Sequence, residues 1–283
     1  FVPRRGDVLQ YRQRFVAVLD EPDLPLPVIG EVGRDRRRAD FVVVDTVLLA
    51  GAPRAMFAAG LGDALSKRAE AAACVAGQGT TMFLSRPPLL ALAIASECEA
   101  VLLANGQAAL EVAGSGQPTP AFEAAVEAMI LMAGLGFESG GLSVPHALTR
   151  GISLLPGGAA SPHGFQVAYG LVVHHRLLDQ PMQPAMVALY QAAGLPRTLH
   201  ALTGAVVSAE QIAAVAAASM PVRHMLNFPR PLDLGQVIAA MGAASVRMRL
   251  RACLAKVHRA CKVGDPVLDR VVKMLQLGLS LGC

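Results

Sequence analysis

Ala39-Asp-Phe-Val-Val-Val-Asp-Thr46, followed at once by Val47-Leu-Leu-Ala-Gly-Ala-Pro53, divides this chain in two. The unbroken β-branched run reads as a strand buried on both faces of a parallel sheet. Pro53 opens the next element, because proline is tolerated in the first turn of a helix. Downstream the text is helical almost throughout. Apolar periodicity places helices at roughly 53–76, 87–105, 118–135, 138–150, 164–178, 183–193, 208–219 and 232–242. Gly- or Pro-containing breaks separate most of them, as caps and short connections require. A last amphipathic stretch, 245–280, is basic at its start and apolar near its end. A domain boundary is therefore expected near Asp45–Pro53, with an all-α body after it.

Upstream, residues 1–38 have a different texture. They mix Pro22, Pro25, Pro27, Gly30 and Gly33 with a heavy charge load, and hold one strand-like run, Phe15–Leu19. The chain starts without Met, which predicts a processed protein or a piece of a longer product. Across all 283 residues, 53% are hydrophobic but only 4% aromatic, with no Trp. Ala and Leu dominate, and both are strong helix formers, so the composition predicts tightly packed helices. A mean hydropathy of +0.46 raises the question of a membrane. A bilayer span needs about 18 or more apolar residues in a row. The best stretch, Pro88-Leu-Leu-Ala-Leu-Ala-Ile-Ala-Ser96, meets Glu97 and Glu99 too soon, so buried helices or an oligomer, and no membrane, are expected.

The formal charge is +4, with Arg and Lys bunched at Arg34–Arg38 and from Arg247 to Lys262. Neither run carries interleaved aromatics or a nucleic-acid motif, so each reads as a solvated face and no nucleic-acid partner is expected. The five cysteines, Cys74, Cys98, Cys253, Cys261 and Cys283, form no CxxC pair. An odd count at such spacings fits a reducing cytoplasm.

Three strings stand out for chemistry: Gly60-Leu-Gly-Asp-Ala-Leu65, Phe137-Glu-Ser-Gly-Gly-Leu-Ser-Val-Pro-His-Ala-Leu148 and Pro162-His-Gly-Phe-Gln-Val-Ala-Tyr-Gly170. Each has a bland reading. Asp63 could be a helix cap or dipole partner. His146 could be a satisfied core histidine, and Gly164 after His163 only permits a close approach. Together, one carboxylate and two imidazoles make a three-ligand set that leaves a coordination position open, the mark of a catalytic rather than a structural metal. Glu138 and Ser139 are candidates to hold the far nitrogen of a ligating imidazole.

Val42-Val-Val-Asp-Thr46, Ala52-Pro53, Gly62-Asp-Ala-Leu65, Glu70-Ala71, Gly136-Phe-Glu-Ser-Gly-Gly-Leu142, His146-Ala147, His163-Gly164 and Val167-Ala-Tyr-Gly170 resemble, in order and at about the same spacing, the glycerol dehydrogenases. These belong to the iron- or zinc-dependent alcohol dehydrogenases, whose fold is shared with dehydroquinate synthases. The likeness covers roughly residues 39–200, and more weakly to about 242, through Asn227 and the helix from Leu232. Gly136-Phe-Glu-Ser-Gly-Gly-Leu142 is the discriminating string. It points to the polyol branch over a lyase of the dehydroquinate synthase type.

The resemblance implies that Asp63, His146 and His163 hold a catalytic Zn2+ (or Fe2+), through which they serve NAD-linked oxidation of glycerol or a similar vicinal diol to the hydroxyketone. It implies a mainly α fold: a helical C-terminal metal-binding domain over 51–283, with a divergent tail from about 243. A residual α/β, parallel-strand portion over 1–50 would be the remnant of a nucleotide-binding domain. It further implies a small polyol substrate, a homo-oligomer and a cytoplasmic setting. The chain departs from the pattern in lacking the Gly-Gly-Gly loop and the Ser-Thr-Asp-Ala-Pro-Thr string, and no residue is assigned to the dinucleotide. Phe165 stands where the relatives carry an acidic residue, and His224 lies three residues before Asn227 rather than beside it. The alternative function is a non-catalytic or truncated metal-binding helical domain of the same family, lacking cofactor binding.

Overall fold

The computed structural model describes residues 17–19 and 41–242. The expected stretch 245–280 and the tail from 243 lie outside the described residues, as does most of 1–38. Strand β1 (Ala17–Leu19) pairs with β2 (Phe41–Val43). Twelve helices follow among the described residues: α1 (Thr46–Ala50), α2 (Arg54–Ala64), α3 (Lys67–Ala76), α4 (Leu89–Val112), α5 (Pro120–Glu127), α6 (Ala133–Gly140), α7 (Val144–Ile152), α8 (His163–Leu177), α9 (Pro184–Ala193), α10 (Leu199–Thr203), α11 (Ala209–Ser219) and α12 over 234–242. A π-helical segment, Ala128–Met132, joins α5 to α6, and a 3-10 turn spans Arg223–Asn227. The mainly α fold expected from sequence is what the chain adopts.

The strand reading needs correction. β1 and β2 run antiparallel, with Ala17 opposite Val43, so no parallel pairing occurs among the described residues. Val42 and Val43 are about half exposed (53% and 49%), so the valine run is not buried on both faces. Branching at Cβ favours an extended backbone whether or not a sheet covers it. The run signalled strand propensity and was mistaken for burial.

Four helices also differ from their expected extents: the one expected at 87–105 runs on to Val112, and the one expected at 138–150 begins at Val144. The span 53–76 breaks at Leu65–Ser66, where the Ser66 hydroxyl donates to the Asp63 carbonyl at 2.8 Å and starts a new helix axis. The helix expected at 118–135 continues through the wider π turn to Gly140. It stops at Gly141, whose φ of 85° suits glycine;. A side chain there would also strike the Cys74 sulfur at 2.7 Å.

Two apolar cores hold the body together. Phe57, Leu61, Leu102, Phe122 and Tyr190 anchor the first, with Phe57 and Phe122 stacked at 4.8 Å. Leu148, Tyr169, Val215 and Met241 anchor the second. Helix α8 belongs to both: Ala168, Leu171 and Val172 face the first, Tyr169, Val173 and Leu177 the second. A helix apolar all round has to be buried all round. Leu89–Val112 and Pro120–Gly140 are long and apolar enough to cross a membrane by length and composition, yet both supply core side chains, among them Leu102, Leu110, Phe122 and Val126.

Candidate metal centre

Asp63 ends α2, His146 sits in the first turn of α7, and His163 begins α8. The fold brings all three together: one ligand atom from each lies within 4.8 Å of the others. His146 Nε2 is 3.3 Å from Asp63 Oδ1, and His163 Nε2 is 4.0 Å from Asp63 Oδ2. The two rings are 5.5 Å apart.

Glycine explains why helices so distant in sequence meet here. A Cβ on Gly62 would lie 2.6 Å from the Gly164 carbonyl oxygen, and one on Gly164 would overlap the carbonyl of Ala59. Helices α2 and α8 thus cross backbone to backbone beside the two ligands they carry. A Cβ on Gly170 would sit 2.6 Å from the Pro145 carbonyl oxygen, so the same device seats α7, and with it His146, against α8. Each glycine costs helix stability in isolation and is repaid in interhelical approach.

Behind His146 stands a residue given no role from sequence. Glu70, fully buried on α3, accepts from His146 Nδ1 and from the Ser66 hydroxyl, each at 2.8 Å. Its other oxygen accepts the Ser143 N–H at 2.8 Å and the His146 N–H at 3.3 Å. Glu70 thus takes the place at His146 Nδ1 for which Glu138 and Ser139 were candidates. Glu138 lines an outer groove of about 660 Å3 with Val42, Val44, Leu131 and Leu135. A carboxylate on Nδ1 sets the ring so that Nε2 faces Asp63, the arrangement that ligating imidazoles need.

Lys67 is the second residue missed. Its ammonium, 6% exposed, donates to Asp63 Oδ1 and lies 3.3 Å from His146 Nε2. It also stands 5.9 Å from the centre of the Phe137 ring, itself part of the groove lining. Positions 63, 67 and 70 stand at i, i+4 and i+7 in the sequence, the spacing of one face had the helix run unbroken, but the axis changes at Leu65–Ser66 and spacing alone assigns neither residue a role.

Charge follows from this packing. Burial raises the Asp63 carboxyl, but Lys67 and His146 together outweigh it and hold it well below the usual carboxylate range. Burial likewise pushes Glu70 up, yet His146, Lys67 and the Ser143 N–H bring it to about 2. Burial and the Lys67 charge lower His146, but the Glu70 charge and the hydrogen bonds to Asp63 and Glu70 together outweigh them and leave the ring more basic than usual. Burial lowers His163, leaving it the readier neutral donor. An ionised carboxylate with two imidazoles, one of them exposed to solvent, suits a divalent ion with an accessible face;.

Asn227 serves architecture. Its amide accepts from the Thr80 N–H at 3.0 Å and donates to the carbonyls of Thr80 and Leu142, at 2.9 and 2.7 Å. It thereby ties the 3-10 turn to the loop before α7. His224, in the same turn, is partly buried and burial lowers its pKa.

No family model matches the chain. Among individual proteins, the glycerol dehydrogenase of Thermotoga maritima is 35% identical over 246 residues, covering 83% of this chain and 68% of that one. The glycerol dehydrogenase of Escherichia coli O6:H1 is 38% identical over 196 residues, covering 66% and 53%. The chain spans about half the length of the Escherichia coli and Citrobacter freundii proteins. A crystal structure of a probable glycerol dehydrogenase from Sinorhizobium meliloti superposes with a TM-score of 0.69 at 30% identity, over 73% of this chain and 59% of that one. The glycerol dehydrogenase from Schizosaccharomyces pombe gives 0.66 at 31% identity, over 71% and 52%.

Proposed function

Because the chain belongs to the glycerol dehydrogenase family of oxidoreductases, we propose that Asp63, His146 and His163 form its metal centre and serve NAD-linked oxidation of glycerol or a similar vicinal diol. One observation carries this reading. Three donors of the right chemistry, on three helices brought together by glycine crossings, lie within 4.8 Å of one another. A bound Zn2+ or Fe2+ would act as a Lewis acid on a coordinated hydroxyl, lowering its pKa towards neutrality.

The protein's own residues supply the rest. Asp63 contributes negative charge, since its carboxyl is ionised throughout the neutral range. Glu70 fixes the His146 ring. His163, exposed at the rim, leaves one side of the centre open to a small diol. Two adjacent oxygens chelate better than one, which favours glycerol-like substrates over simple alcohols. The exposed apolar side chains Leu89 and Leu90 support association of copies.

The test has two arms. Purified protein should bind one Zn2+ per chain by elemental analysis after dialysis, and Asp63→Asn should bind far less. NADH titrated to millimolar concentration into the metal-loaded chain should then raise its melting temperature and shift nicotinamide fluorescence. Metal binding without any dinucleotide response would leave the alternative, a metal-binding helical domain of the family. Unchanged metal content in the Asp63 variant would remove the centre altogether.

A further inference from the structure

Resting on the metal-centre reading above, we propose that Lys67 is an internal cation that competes with the metal for Asp63 and His146, so that the chain binds its ion weakly and exchangeably. The ammonium is held by two of the three candidate ligands and by nothing solvent-like, being 6% exposed. Donor atoms that bind a divalent ion place it about 2 Å away. An ion ligated by Asp63 and His146 therefore comes within a few ångströms of Lys67 Nζ. Two cations at such separation in a half-buried site repel strongly, because little water lies between them to screen the charge.

The sharing is also competitive in lone pairs. Asp63 Oδ1 accepts from Lys67, and His146 Nε2 lies within hydrogen-bond distance of the same ammonium. A lone pair given to the ammonium is not free for the metal. For the ion to load, the Lys67 head must leave these two atoms. Its route out is set by its neighbours: the chain lies against Gly136 and its head over Phe137, whose ring borders the open groove. Lys67 is the first residue of α3 and is buried, 5% exposed.

The opposite role is a real competitor. If Lys67 served only to hold Asp63 in place, removing its charge would loosen the carboxylate and weaken metal binding. The two roles differ in sign. Three forms of the full chain are stripped of metal and titrated with Zn2+ against a chromophoric chelator: wild type, Lys67→Leu and Lys67→Arg. Lys67→Leu keeps an apolar stem without a charge or a new ligand, and should bind Zn2+ tighter by on the order of tenfold or more, the scale by which one close charge shifts another group's equilibrium. Lys67→Arg keeps the cation and should stay near wild type.

A second readout comes from thermal unfolding. Lys67→Leu should melt lower than wild type when stripped, having lost the Asp63 ion pair, and gain more on adding Zn2+. Zinc affinity equal to or weaker than wild type in Lys67→Leu, with wild type binding one ion, overturns the proposal and leaves the metal centre standing. So does Lys67→Arg binding as tightly as Lys67→Leu. Failure of all three forms to bind Zn2+ removes the metal centre and the proposal together.

Discussion

Glu70 and His146, 76 residues apart in the chain, are joined by a 2.8 Å hydrogen bond from His146 Nδ1 to a carboxylate that no solvent reaches. The bond determines which imidazole nitrogen faces Asp63. It also makes Glu70 the hub of the site, since the same carboxylate accepts from the backbone of Ser143 and His146 and from the Ser66 hydroxyl. Helices α3 and α7 are locked together by a group that also prepares a ligand.

Glu70→Gln keeps the shape but turns an acceptor into a donor facing N–H groups. Partners of ligating imidazoles typically matter by about 10–100-fold in metal affinity. The variant should lose Zn2+ affinity by that order while retaining its far-ultraviolet helical signal. Wild-type affinity in a folded Gln variant would show that Glu70 does not orient the ring.

His163→Ala and Asp63→Asn should separate binding from stability. His163 is exposed at the rim, and surface changes of this kind stay within about 0.5 kcal/mol of wild type. Metal-free His163→Ala should thus unfold in urea like wild type and bind far less Zn2+. Asp63→Asn should lose both, because it leaves the buried Lys67 ammonium without its carboxylate. Equal stability of the two variants would count against that ion pair.

Gly164→Ala should disturb the site without touching a ligand. The added methyl meets the Ala59 carbonyl, so α8 must move off α2, and overpacking of this sort costs typically about 1–3 kcal/mol;. Denaturant unfolding should show the loss, and zinc titration should show a matching fall in affinity. Gly194→Ala, at a φ of 66° with open space around it, should cost stability through backbone strain alone and leave zinc affinity unchanged.

His174 predicts an acid weakness unrelated to the metal. It is fully buried on α8 with neither ring nitrogen hydrogen-bonded, edge-on to Phe228 at 5.4 Å, and burial lowers its pKa from 6.5 to about 4. The unfolded chain takes up this proton below pH 6.5 while the folded chain refuses it down to about 4. Stability from this residue is therefore complete above pH 6.5 and declines as the pH falls to about 4, by about 3 kcal/mol in all;. His174→Gln cannot titrate. Its unfolding free energy relative to wild type should rise across that window, and a constant difference would reject the assignment.

The helices were legible in sequence because apolar spacing and Pro or Gly breaks are local signals. The spans expected at 164–178, 183–193, 208–219 and 232–242 match α8, α9, α11 and α12 within a few residues, and short α1 and α10 escaped because five residues cannot show a period. The strand at 41–43 was placed correctly and its pairing was not, since a valine run records backbone preference and says nothing of its neighbour. Asp63, His146 and His163 could be singled out because each string carries glycines that ordinary helices avoid. Glu70 and Lys67 could not be given roles from their text, because an acid and a base on a helix are ordinary until something distant faces them.

Residue order alone settled the helical character of this protein and its resemblance to polyol dehydrogenases, and it singled out Asp63, His146 and His163 as candidate donors. Tertiary structure decided which groups share that space: an ammonium between Asp63 and His146, and a buried carboxylate behind His146. The reason is reach. Propensity and capping act over a few residues, whereas the electrostatics of a site depend on groups that only the crossing of α2, α7 and α8 places within a few ångströms.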